Sequence, residues 1–385
     1  MNNTFQFTGK HKIVFSILIL IGLAVMAYGL FSLPSDRFWA NVLLNNMYFL
    51  QIALAGVFFI SVHIVSQAGW HVSVQRIPEA MGTFIPVAGI LMLLVFVGIK
   101  DIYHWSHEHV DEIIQGKKPF LNITFFAARF IVYFAGWIWL SHKIRKLSLR
   151  SDTNQDIRLF KNSHVYAVLF VVFFAITNSV SSWDWLMSID AHWYSTLYGW
   201  YIFSSMFVSG IAVITLLVIY LKRKGYMEHV NKEHLHDLGK YLFGFSIFWM
   251  YLWFSQYMLI WYGNIPEETT YFIQRTDHYS LLFYGNIIIN FMVPFLALMP
   301  REAPRKEFML IIVSIIILIG HWIDFYLAVT PGIVGNEGTI GVLEIGMTVG
   351  YAGLFLWVVF RALSKASLVP FNHPFYKESL DYHNL

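Results

Sequence analysis

Residues 307–328 read EFMLIIVSIIILIGHWIDFYLA. From Phe308 to Gly320 the only polar side chain is Ser314, and the run carries no charge. A helix of a soluble protein is apolar along one stripe, whereas this one is apolar on every face. Its length is about that needed to cross ~30 Å of hydrocarbon. The stretch predicts a transmembrane helix, and its outer half holds two ionisable residues, His321 and Asp324.

Nine further segments of the same kind flank it. Together the ten lie near 12–32, 44–69, 78–99, 120–142, 162–182, 197–221, 239–263, 279–299, 307–328 and 340–362. Composition agrees, with 57% hydrophobic and 13% charged residues. A soluble domain carries about 25% charge, so this chain has too little polar surface to face water all round. Lys10 and Lys12 precede the first segment in the manner of a signal peptide, but no small-residue cleavage site follows, and it is read as a membrane anchor.

The loops set an orientation. Of 26 lysines and arginines, Arg37, Lys100, Lys117, Lys118 and Arg275 fall on one side, Arg129 lies within a segment, and the remaining twenty are on the side of the N-terminus. Basic loops stay in the cytoplasm, which predicts both termini there. The net charge of +3 follows from these loops and implies nothing about nucleic acid. The opposite loops carry Asp101, Glu108, Asp111, Glu112, Asp184, Asp190, Glu267, Glu268 and Asp277 among Trp, Tyr and His, which suggests a docking surface for periplasmic partners.

A faint parallel repeat links Arg37-Phe38-Trp39 before the second segment to Ala191-His192-Trp193 before the sixth. The division expected is an N-terminal anchor helix (1–43), a first four-helix bundle (44–196), a second (197–335), and a last transmembrane helix with a cytoplasmic tail (336–385). The fold is then all-α: segments two to five and six to nine form two bundles, flanked by one and ten.

The absence of cysteine removes thiolate iron–sulfur ligation, c-type haem attachment and cysteine nucleophiles. No metal site is read either. The run His104-Trp105-Ser106-His107-Glu108-His109 has ligating residue types, but its spacing suits a helix face poorly and points to a packed interfacial loop. His63 and His321 lie at different depths, which argues against a shared b-type haem.

Three stretches are more particular: Gly69-Trp70-His71-Val72-Ser73-Val74-Gln75-Arg76-Ile77-Pro78-Glu79-Ala80-Met81, the run Ser182-Trp183-Asp184-Trp185-Leu186-Met187-Ser188-Ile189-Asp190-Ala191-His192-Trp193-Tyr194-Ser195-Thr196, and Phe254-Ser255-Gln256-Tyr257-Met258-Leu259-Ile260-Trp261-Tyr262-Gly263-Asn264-Ile265-Pro266-Glu267-Glu268. Together they resemble the polysulfide-reductase (NrfD-like) membrane-subunit family, and most of all the shorter of its two copies in bacterial alternative complex III. The resemblance runs over nearly the whole chain. It implies a non-catalytic subunit of a quinol:cytochrome c oxidoreductase in the bacterial inner membrane. Its partners would be a larger NrfD-like sister subunit with the better-supported quinol site, c-type haem subunits, an iron–sulfur subunit and, in a supercomplex, a terminal oxidase. Haems and clusters would sit on those partners. This chain would carry no redox cofactor, only bound phospholipid and, if it takes part in the chemistry, quinone.

Ionisable groups inside a bilayer cost at least ~2.5–3.5 kcal/mol each and so point to function. The expected proton path is a network of Arg129, His321, Asp324 and Glu344, reached from the cytoplasm through His63, His71, Arg76 and Glu79, with Asp184 as a polar exit and Asn286 and Asn290 one turn apart. The bland alternative is ion pairs that lock bundles together. A quinone site, were there one, is expected at Asp184, Trp185, Asp190 and His192. The rival functions are the quinol-binding subunit itself, a structural scaffold, and a stand-alone transporter; Pro86 and Pro294, in non-corresponding segments, give the last little support.

Overall fold

The computed structural model describes residues 4–383. Among them, ten helices are long and apolar enough to cross a membrane. In chain order they are α1 (Gly9–Ser32), α2 (Ser35–Val65), α3 (Arg76–Val97), α4 (Ile123–Ser151), α5 (Ile157–Ile189), α6 (Tyr198–Arg223), α7 (Lys232–Gly263), α8 (Ser280–Leu298), α9 (Glu307–Glu337) and α10 (Val342–Leu363). No strand element occurs among the described residues. Large apolar side chains such as Leu20, Ile131, Ile176 and Leu296 face outward, as they must where the solvent is lipid. The chain is an all-α, multi-pass membrane protein.

Burial orders these helices. In α2 and α6, 83% of the apolar window is buried, against 17% in α1, so α2 and α6 form the centre and α1 the rim. The two central helices pack on each other. Each also packs on the last helix of the opposite group, α2 on α9 and α6 on α5. That reciprocal pattern is what two four-helix units meeting through their first helices would produce. Arg37-Phe38-Trp39 lies inside α2, whereas Ala191-His192-Trp193 lies in the loop before α6, so the paired stretches of the faint repeat differ in conformation.

α2 starts at Ser35, well before the apolar segment expected from 44. Pro34 precedes it and Asp36 stands in its first turn, a helix-start pattern that hydropathy alone passes over. Prolines break two other spans. Pro86 opens the Ile85–Met92 piece of α3. In α8, Pro294 cannot donate to the carbonyl of Asn290, and residues Ile288–Met292 form a π-turn.

α1 rests mainly on α10 through glycines. A Cβ at Gly22 would lie 2.4 Å from the Cα of Gly350, and one at Gly350 would lie 2.5 Å from the Cα of Gly22. Such contact is the close backbone approach that helices use in lipid, where no hydrophobic force drives them together.

Candidate functional site

The buried charges fall into separate sites. The first is the Asp324 carboxylate on α9, 3% exposed. It accepts from Asn286 Nδ2 at 2.8 Å, Trp249 Nε1 at 3.1 Å and Ser205 Oγ at 3.1 Å. Tyr201 donates a fourth hydrogen bond through its hydroxyl. The donors come from α6, α7 and α8, so one carboxylate ties four helices. Among the described residues no lysine or arginine pairs with it; the basic group within reach is His321, whose Nδ1 is 3.8 Å from Asp324 Oδ2.

The hydroxyl of Ser205 fixes the histidine. It has a single proton, which goes to Asp324, so the 2.8 Å contact with His321 Nδ1 is a donation from the ring to Ser205 Oγ. His321 Nε2 is buried without a partner. The result is a line of donors, His321 to Ser205 to Asp324, with one ring nitrogen open to a proton.

On the side of the acidic loops, a cavity of about 20 Å³ reaches Asp324, lined also by Tyr201, Gln256, Tyr271, Arg275 and Asn286. That is room for one water molecule. Arg275 caps it, with its guanidinium 3.4 Å from the centre of the Tyr271 ring and 3.3 Å from Asp190 Oδ2. Burial pushes the Tyr271 hydroxyl up to about 12, so it stays protonated there. Toward the basic loops the polar line ends. Asn290 Oδ1, Ser246 Oγ and Ser314 Oγ are buried and unpartnered. One turn beyond the two serines stand Leu242 and Leu310, both fully buried.

Arg129 does not join this centre. Its Nε and Nη2 donate to Asp184 at 2.8 and 2.7 Å, in a bidentate pair that Tyr133 completes at 2.7 Å. The guanidinium lies 4.0 and 4.2 Å from the rings of Phe120 and Phe125. Glu344 is equally separate. Arg37 Nε and Nη2 donate to it at 2.9 and 3.0 Å, and Asn41 Nδ2 at 3.0 Å. The expected network of Arg129, His321, Asp324 and Glu344 is therefore three sites, and no hydrogen bond or ion pair among the described residues joins them. Each arginine meets an acid that is remote in sequence, which spacing along one helix cannot reveal.

Of the remaining path residues, Asn286 and Asn290 belong to the Asp324 centre, the latter donating to the former at 2.6 Å. Arg76 pairs with Glu79 at 2.9 Å and with Asp152 near the basic loops. His63 and His71 lie side by side, ring centres 5.0 Å apart. Both lie at the end of the molecule that carries the basic loops, with no contact to Asp324 among the described residues, and Asp184 is sealed by Arg129.

The four expected quinone residues do not form one site: Asp184 and Trp185 share Tyr133 in the core, while Asp190 and His192 have other partners. Asp184 is fully buried, Trp185 packs against Tyr133, Phe134 and Trp137, Asp190 meets Arg275, and exposed His192 contacts Asp111 at 2.5 Å. In the His104–His109 run, Trp105 is buried and His107 bonds the carbonyl of Lys100 at 2.8 Å.

No family model and no curated protein matches the chain. The reading of function therefore rests on residues.

Sequence reasoning missed Tyr201, Ser205, Trp249, Arg37, Tyr133 and Arg275. Tyr201 and Ser205, four apart on α6, could have been found as a polar pair sharing one face of a central helix. Nothing in the sequence singles out Trp249 from the other tryptophans.

Proposed function

We propose that this chain is a cofactor-free membrane subunit of a quinol-oxidising respiratory complex of the alternative complex III type, in which α6–α9 hold a proton-exchange centre at Asp324 and His321. On this reading it lies in a bacterial inner membrane with both ends cytoplasmic. Its haem, iron–sulfur and larger NrfD-like partners carry out the electron transfer.

One observation carries the proton role. Asp324 is buried among four hydrogen-bond donors and, among the described residues, pairs with no arginine or lysine; the histidine beside it bonds Ser205 through Nδ1 and has a partnerless Nε2. A carboxylate held only for structure is normally matched by a cation, as Asp184 and Glu344 are here. Asp324 instead is placed to exchange a proton with water in the cavity toward Arg275, and the Nδ1 proton of His321 can pass through Ser205 to it only as His321 Nε2 takes one up. The apolar turns at Leu242 and Leu310 support exchange with the outer face alone, a half-channel in place of a through path. The scatter of Asp184, Trp185, Asp190 and His192 supports leaving quinol oxidation to a partner.

The test is Asp324→Asn in the gently purified assembly, reconstituted into vesicles. Fewer protons released per quinol, with assembly intact, is the expected outcome. Unchanged stoichiometry ends the proton role, and purification without haem or iron–sulfur chains ends the subunit reading.

A further inference from the structure

At the opposite face, where α4 and α10 end, a cavity of about 760 Å³ opens between them and α3. Arg145, Lys146, Arg150, Arg361 and Lys365 line it, with no aspartate or glutamate. The nearby acids Glu79 and Asp152 are already taken by Arg76. Five cations thus share one concavity whose lining holds no acid.

Arg145 is the built part of this site. Its Nη2 donates to the carbonyl of Ala362 at 2.9 Å, which holds the guanidinium across the gap between α4 and α10. Its Nη1 is buried and has no partner. A cationic donor so placed costs free energy unless an acceptor meets it, and a phosphate oxygen matches a guanidinium in charge and geometry. Lys146, Arg150, Arg361 and Lys365 are exposed around the mouth, where they add charge at little cost.

Besides Thr83, His142 and Thr153, the remaining wall is apolar: Val87, Leu149, Trp357, Val358 and Ala362. These positions run from the helix ends back into the spans. A soluble anion would use the cations and leave the apolar wall wet, whereas an amphiphile uses both.

We infer that this cavity binds an anionic phospholipid, with its phosphate on Arg145, Arg361 and Lys365 and an acyl chain along Val87, Trp357 and Val358. Basic pockets between helices at the cytoplasmic surface suit such headgroups. The inference stands independently of the proton centre.

The experiment is native mass spectrometry of the full chain in its purified assembly, titrated with cardiolipin, phosphatidylcholine or inorganic phosphate. The wild type is expected to retain cardiolipin and to release phosphatidylcholine. Lys146→Gln, Arg361→Gln and Lys365→Gln together are expected to weaken retention roughly a hundredfold, at about 1 kcal/mol per basic residue. All three residues are exposed, and a Lys146→Arg, Lys365→Arg variant is expected to keep the lipid, which separates lost charge from lost fold. A control triple on the same face, Lys10→Gln, Lys161→Gln and Lys232→Gln, is expected to retain it too. The proposal is overturned if the control loses the lipid equally, if phosphatidylcholine is held as tightly, or if inorganic phosphate displaces cardiolipin at equal concentration.

Discussion

At Arg129 the cost of an ionisable group in a membrane is met by one acid and two aromatic rings. Removing a single partner of a buried pair leaves the other unpaired, a loss of about 3–5 kcal/mol, while replacing both with apolar side chains of similar size is close to neutral. Asp184→Leu is therefore expected to lower the melting temperature sharply, and Arg129→Met with Asp184→Leu to restore most of it. A double variant as unstable as the single one would show that the pair does more than neutralise itself. Asp324 and His321 were legible in the sequence because they interrupt an apolar run at a spacing of three. Their partners were not, since Tyr201, Trp249 and Asn286 come from three other helices and only packing brings them together.

Elements were legible to the extent that hydropathy defines them. All ten spans were, and their errors are physical: α2 begins nine residues early because its first turns carry Ser35, Asp36, Arg37 and Asn41, polar residues that an apolar window discards. The contact of α1 with α10 depends on Gly22 and Gly350, where any side chain would strike backbone. Gly350→Leu is expected to cost about 1–3 kcal/mol by overpacking and to detach α1, read as protease sensitivity confined to the N-terminal helix. Cleavage spread through the chain would refute a rim role for α1. The tail is held differently. Ser379 on the short helix Tyr376–Leu380 accepts from the Ser73 amide at 3.0 Å and donates to the Trp70 carbonyl at 2.8 Å. Beside it, burial takes His373 down to about 4 and His71 well below its usual value. Both histidines stay neutral when docked but take up protons near pH 6.5 when released, so docking is fully stable above that value and weakens as pH falls toward 4. Protection against hydrogen exchange over residues 373–383, taken relative to the intrinsic exchange rate at each pH, should therefore fall between pH 7.5 and 5; equal protection at both would mean that these histidines do not control the tail.

Across the whole molecule, charge is divided between two faces. The basic loops lie beside the phospholipid cavity and the docked tail, and the acidic loops lie beside Arg275 and the small cavity at Asp324. This asymmetry favours one orientation, because lysine and arginine resist translocation and anionic lipid attracts them. It also decides which compartment the Asp324 cavity faces, so orientation and proton chemistry are one question. The absence of cysteine makes the question open to a clean measurement, since any thiol introduced is the only one in this chain. Single cysteines at exposed His109 and Glu267, on the acidic face, are expected to react with a membrane-impermeant maleimide in intact spheroplasts. Cysteines at Lys224 and Lys377, on the basic face, are expected to react only after lysis. Labelling of Lys224→Cys in intact cells would reverse the orientation, and the Asp324 cavity would then exchange protons with the cytoplasm, which is the wrong side for releasing protons outward from quinol.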